Sequence, residues 1–141
     1  MRLTVGLTTI IALSLLGAGT ASAEVREARV QCLGSNANFH LYPFYLSLVA
    51  TSSDDRPGTI SIQPRAESMF GPFGYHATIN WTNLDTGESG VAAQDGTVGG
   101  NMPSFDVHTG WGTVRLTGSV GTAGLSAGNT MQCSGSDLFV P

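Results

Sequence analysis

The chain predicts an all-β domain, a small antiparallel two-sheet sandwich closed by one disulfide. Three observations lead there. Nineteen glycines, with many serines and threonines, cut the 141 residues into short segments. Inside those segments apolar and polar residues alternate with the period of two that a half-buried strand requires, and helix-period patterning is nearly absent. The two cysteines, Cys32 and Cys133, stand near the two ends of the strand-rich region. A small β-barrel satisfies the same alternation and is the alternative architecture.

Residues 1–23 read as a signal peptide. Arg2 supplies the positive start, residues 5–16 are apolar and uncharged, and Ala21-Ser22-Ala23 has the small-x-small form of a cleavage site. The apolar run is too short to cross about 30 Å of hydrocarbon. The domain is therefore expected over residues 24–141, secreted after cleavage near Ala23, with no membrane span in its mature part.

The strands follow in order. Residues 28–33 open the domain with Val30 and Cys32 on one face. Residues 44–51 place Phe44, Leu46, Leu48 and Ala50 inward, and Pro43 before them suits a strand start. Asp54-Asp55-Arg56-Pro57-Gly58 is a turn. Residues 59–63 point Ile60 and Ile62 inward, and Gly71-Pro72-Phe73-Gly74 breaks the chain. The clearest alternation is Tyr75, Ala77, Ile79 and Trp81 against His76, Thr78, Asn80 and Thr82. Leu84-Asp85-Thr86-Gly87 makes residues 88–93 a hairpin partner. Residues 104–109 and 111–120 are two further strands, with Phe105, Val107, Val114, Leu116 and Val120 inward. Residues 121–129 read as a loop, and Met131, Cys133, Leu138 and Val140 close the domain.

An even cysteine pair in an exported chain reads as a disulfide, here Cys32–Cys133, tying the first strand to one of the last. The chain lacks lysine, and past residue 23 five scattered arginines face ten acids. Nucleic-acid binding needs a clustered basic face and is disfavoured.

The chemistry-bearing patterns are few. Gly124-Leu125-Ser126-Ala127-Gly128 matches a G-x-S-x-G elbow, but no helix follows Ser126 and every histidine precedes it, so it reads as a glycine-rich loop. His76, Asp106 and His108 lie on outward strand faces and would converge on a metal only if their strands were neighbours; His40 is the third histidine. Separate surface histidines are the favoured reading, and no cofactor, catalytic residue or metal is assigned. Asn80-Trp81-Thr82 has the form of a glycosylation sequon, mid-strand. Aromatics cluster at Phe39, Tyr42, Phe44 and Tyr45, and Met69, Phe70 and Phe73 form an apolar loop that would serve as an interaction surface if exposed.

The lysine-free, glycine- and threonine-rich composition, the stretch Ile79-Asn80-Trp81-Thr82-Asn83-Leu84-Asp85-Thr86-Gly87-Glu88-Ser89-Gly90 and the closing Phe139-Val140-Pro141 resemble in format small exported actinobacterial, mycobacterial-type proteins with immunoglobulin-like sandwiches. The resemblance implies a secreted, non-enzymatic protein of immunoglobulin-like architecture and transfers no site residue. The expected function is a secreted binding module for a protein or glycan, with loops 67–73 and 96–103 carrying recognition. A protease inhibitor using loop 96–103 or 65–71, and a small metal-dependent or hydrolytic enzyme using surface histidines and aspartates, are the alternatives.

Overall fold

The computed structural model describes residues 22–126 and 128–141. The signal-peptide reading falls almost entirely outside them. Eight antiparallel strands run in chain order: β1 (Val25–Ser35), β2 (Pro43–Ser53), β3 (Thr59–Ala66), β4 (Phe73–Asn83), β5 (Ser89–Val98), β6 (Phe105–His108), β7 (Gly112–Ala123) and β8 (Asn129–Val140). They belong to one sheet, ordered β5-β4-β7-β8-β1-β2-β3-β6. The sheet curls into a nearly closed, barrel-like shape around one apolar core. The all-β class and the disulfide are as expected, and the eight strands, joined in one nearly closed sheet, fit the barrel alternative.

The alternation read from the sequence fills that core. Val30, Leu46, Leu48, Ile60, Ile62, Ile79, Val114, Leu116 and Val120 are all within it, together with Val98 and Val140. β4 begins at Phe73, so the chain break lies just before it, and Phe73 packs edge-on against Phe44 inside the core. β7 extends to Ala123, which shortens the expected loop that follows. Two inward aromatics of β4 lie over glycines of β5: Tyr75 is registered with Gly96 and Trp81 with Gly90, and a Cβ at either glycine would run into the facing ring. Glycine there lets a large side chain cover the edge strand.

One joint in the sheet differs from the others. β1 and β8 share a single registered pair, Cys32 with Cys133, and these two residues form the disulfide. Beside it the Ser134 hydroxyl accepts from the Gln31 amide at 3.3 Å and donates to the Gln31 carbonyl at 3.3 Å. β8 also bulges here: Leu116 pairs with Ser136 but Gly118 with Cys133. An extra residue on one strand kinks it and interrupts pairing. At this joint the ladders β5-β4-β7-β8 and β1-β2-β3-β6 are held by the disulfide and Ser134, and further along Ser52 Oγ of β2 donates to the Phe139 carbonyl of β8 at 2.6 Å.

Strict antiparallel order sorts the connections by end. The β1–β2, β3–β4, β5–β6 and β7–β8 loops gather at one end. The other three turns and both ends of the described residues gather at the opposite end, where the Glu24 amide donates to Asp54 and the Gly58 amide donates to the Pro141 carbonyl.

Candidate functional site

The loop end is built on two asparagines. The Asn36 side-chain oxygen accepts from the amides of Asn38 at 2.9 Å and Phe39 at 3.2 Å, and the Asn36 amide donates to the Tyr42 carbonyl at 2.9 Å. This folds residues 36–42 into a closed turn, the usual work of an asparagine side chain. Asn38 then reaches out. Its side-chain nitrogen donates to the Phe70 carbonyl at 2.7 Å and its oxygen accepts from the Leu125 amide at 2.9 Å. Ser126 completes the junction, donating from its amide to the Ala37 carbonyl and from its hydroxyl to the Asn38 carbonyl, each at 2.9 Å. One buried asparagine therefore ties three loops together. Gly71, at φ 81°, makes the turn that brings the β3–β4 loop within reach.

On this frame stand the apolar side chains. Phe39 and Tyr42 rest on the Phe70 ring, with centroids 4.9 and 4.6 Å away. Seven of the twelve exposed large apolar side chains among the described residues sit at or beside this end: Leu33, Phe39, Leu41, Tyr42, Tyr45, Met69 and Leu125. Leu41 is 95% exposed, Met69 93% and Leu125 90%, the three highest values of the set, and each is on a different loop. A hollow of about 440 Å³ opens between Tyr42, Tyr45, Glu67, Met69 and Phe70. Glu67 is the only Asp, Glu, Lys or Arg in the four loops. The fourth loop folds on itself, with the Thr97 amide donating to the Asn101 carbonyl at 2.7 Å and Met102 tucked against the core.

Of the expected interaction residues, Met69 is exposed, Phe70 is half-buried as the platform for two rings, and Phe73 is in the core and unavailable to a partner. Leu41 and Leu125 were not singled out by the sequence. Nothing in their alternation marks them; Leu125 stands between Gly124 and Ser126 in the expected 121–129 loop, and Leu41 between His40 and Tyr42 just before the second strand.

The histidines stand apart. His76 on β4 lies 2.7 Å from Asp95 through Nδ1, beside a hollow of about 540 Å³ floored by Gly96 and Gly121. Asp106 and His108 are on β6, at the far edge of the sheet order, and Asp106 accepts from Arg56 at 2.6 Å. That guanidinium holds the Asp106 carboxyl below the usual carboxylate range. His40 is in the first loop, its Nδ1 3.1 Å from the Asn129 side-chain nitrogen. Among the described residues no three His, Cys, Asp or Glu side chains come together as a metal site would need. The Ser126 hydroxyl is bonded to a backbone carbonyl, as a loop staple would be. Tyr75 lies under the second hollow with its hydroxyl buried and without a protein partner, and burial, then the Asp95 charge, push its pKa up.

The opposite end is charged. Asp54, Asp55, Arg56, Asp85 and Glu88 occupy its turns. Arg26 pairs with Asp54 at 2.9 Å and Glu24 at 3.1 Å, and Arg115 grips Asp137 by two nitrogens, at 2.9 and 3.0 Å. No helix among the described residues is long and apolar enough to cross a membrane. Compared with protein families, curated proteins and solved structures, the chain matches none.

Proposed function

We propose that this chain is an exported, non-enzymatic binding domain that meets its partner with the loop end of the barrel. The observation that carries this reading is the gathering of exposed apolar side chains on loops that Asn36 and Asn38 hold in place. Leaving such a cluster in water is costly, and large exposed apolar patches on folded domains mark contact surfaces. The loops are tied by buried hydrogen bonds, so little ordering entropy is lost when they engage. Export is supported by the leader pattern of residues 1–23 and by a disulfide of the sort that persists outside the cytoplasm. The likeness in format to small exported actinobacterial proteins, immunoglobulin-like architecture included, belongs to the same reading.

An environment-sensitive apolar dye tests it. The folded protein is expected to enhance dye fluorescence, and replacing Leu41, Met69 and Leu125 together by serine to remove most of that enhancement. A native protein that leaves the dye dark would end the reading.

A further inference from the structure

We propose that the loop end docks on the interface of an uncharged or zwitterionic lipid surface, a partner assignment that rests on the loop-end reading above. Four features of the site point to this occupant.

The first is shape. Leu41, Met69 and Leu125 project from three separate loops, each at least 90% exposed, so no neighbour folds over them. They form three aliphatic points, with Met69 at the rim of the hollow that Tyr42, Tyr45, Glu67 and Phe70 line. Points of this kind suit a soft, laterally uniform medium into which each sinks independently. A glycan would instead need hydrogen-bonding groups beside a flat ring; the hollow holds such groups in Tyr42, Tyr45 and Glu67, but the three most exposed tips offer only methyl, methylene and thioether groups.

The second is layering. Behind the tips lie Phe39 and Tyr42, each 51% exposed and stacked on Phe70. Tyrosine, with an apolar ring and a polar hydroxyl, settles at headgroup depth, where aromatic belts form. Fully exposed aliphatic tips beside half-exposed aromatic rings match the mixed polarity of a bilayer interface.

Charge is the third. The four loops hold one formally charged residue, Glu67, and no lysine or arginine. Attraction to an anionic leaflet needs basic side chains near the surface. With Arg65 the one arginine near that end, beside Glu67, and a chain net charge of −4, an anionic surface would repel rather than recruit the domain. Apart from Arg65, Glu67 and Asp95, the fixed charges of the described residues lie toward the opposite end, where they stay in water when the loops are down.

The fourth is the fixed arrangement of the loops. Because Asn38 binds the Phe70 carbonyl and the Leu125 amide at once, the three tips are presented together without a folding step.

Flotation with phosphatidylcholine vesicles tests the proposal. The chain is produced by export under oxidising conditions, its first residue is established by intact mass, and every variant is made in the same background, so any leader contribution cancels. Wild type is expected to float with the vesicles. Leu41→Ser, Met69→Ser and Leu125→Ser are each expected to weaken binding about tenfold, from the apolar area lost. Binding should hold at high salt and fall when phosphatidylglycerol replaces part of the phosphatidylcholine. Circular dichroism and the disulfide mass should be unchanged in all three variants, whose altered side chains make almost no native contacts.

The lipid assignment is overturned if wild type stays unbound, if the triple variant floats as well as wild type, or if binding requires anionic lipid and fades with salt. Sedimentation velocity and dye fluorescence separate that failure from the wider one. A wild-type dimer that the triple variant lacks would make a second copy the occupant and keep the loop-end reading. A triple variant equal to wild type in flotation, sedimentation and dye fluorescence would remove both.

Discussion

Asn38 shows how much of this molecule depends on single polar side chains. It is 8% exposed, and its amide reaches two loops distant in sequence. Asn83 does the matching work at the other end. It is fully buried, donating to the carbonyls of Thr109 at 3.0 Å and Trp111 at 2.8 Å and accepting from the amides of Asp85 and Thr86. An alanine at position 38 strands a carbonyl and an amide that the native fold has already taken from water. Asn38→Ala is expected to cost about 1–3 kcal/mol in urea unfolding, from two unmade part-buried hydrogen bonds. It should also free the loop tips to move, seen as faster amide exchange at Leu125. A variant as stable as wild type would show that the loops are held by packing alone. None of this was legible in the sequence, where an asparagine between serine, alanine and phenylalanine is a turn former like many others. Burial and partners separated by 32 and 87 positions are decided by the fold.

Among the elements, β4 was the most legible, because its strict alternation gave both its faces and its core residues. Its start was missed, since Gly71-Pro72 hides the fact that Phe73 is already on the strand. Sandwich and barrel could not be told apart for a different reason. Each strand's alternation is the same in either, and the order is set by non-local ladders such as β3 with β6 and β8 with β1. The expected disulfide did form, but the sequence could not show that it falls on the sole registered pair of the β1–β8 joint. Its two cysteines are 101 positions apart. Closing a loop of that size stabilises by roughly 4–5 kcal/mol in the chain-entropy account. Replacing both cysteines by alanine is expected to lower unfolding free energy by about that amount. Hydrogen exchange should then show β1 and β8 losing protection on their facing edges before β2 or β4 do. Uniform loss across all eight strands would mean that the joint opens only with global unfolding.

At the scale of the whole molecule, most of the formal charge gathers at the pole opposite the loop tips, where Val25, Leu84, Trp111 and Phe139 are also exposed. Hydrogen bonds from Arg26, Arg56 and Arg115 hold Asp54, Asp106 and Asp137 below the ordinary carboxylate range. A carboxyl whose folded value is depressed stabilises the fold above its unfolded value, near 4, and the contribution is lost as pH falls through the folded value. The melting temperature is therefore expected to be flat from about pH 5 to 8 and to fall below about pH 4. A melting temperature that rises on acidification would contradict these pairs. The sorting itself was half legible. The acidic turns at residues 54–56 and 85–88 and the aromatic loops are plain in the sequence, but only the alternating directions of the strands put them at opposite ends.

Both ends of the described chain leave beside the β2–β3 turn, through Glu24 next to Asp54 and Pro141 against Gly58. A fluorophore, affinity handle or second domain grafted at either end would stand a full strand's length from Leu41, Met69 and Leu125. Immobilised by its C-terminus on a sensor chip, the protein would present every molecule the same way up, tips outward.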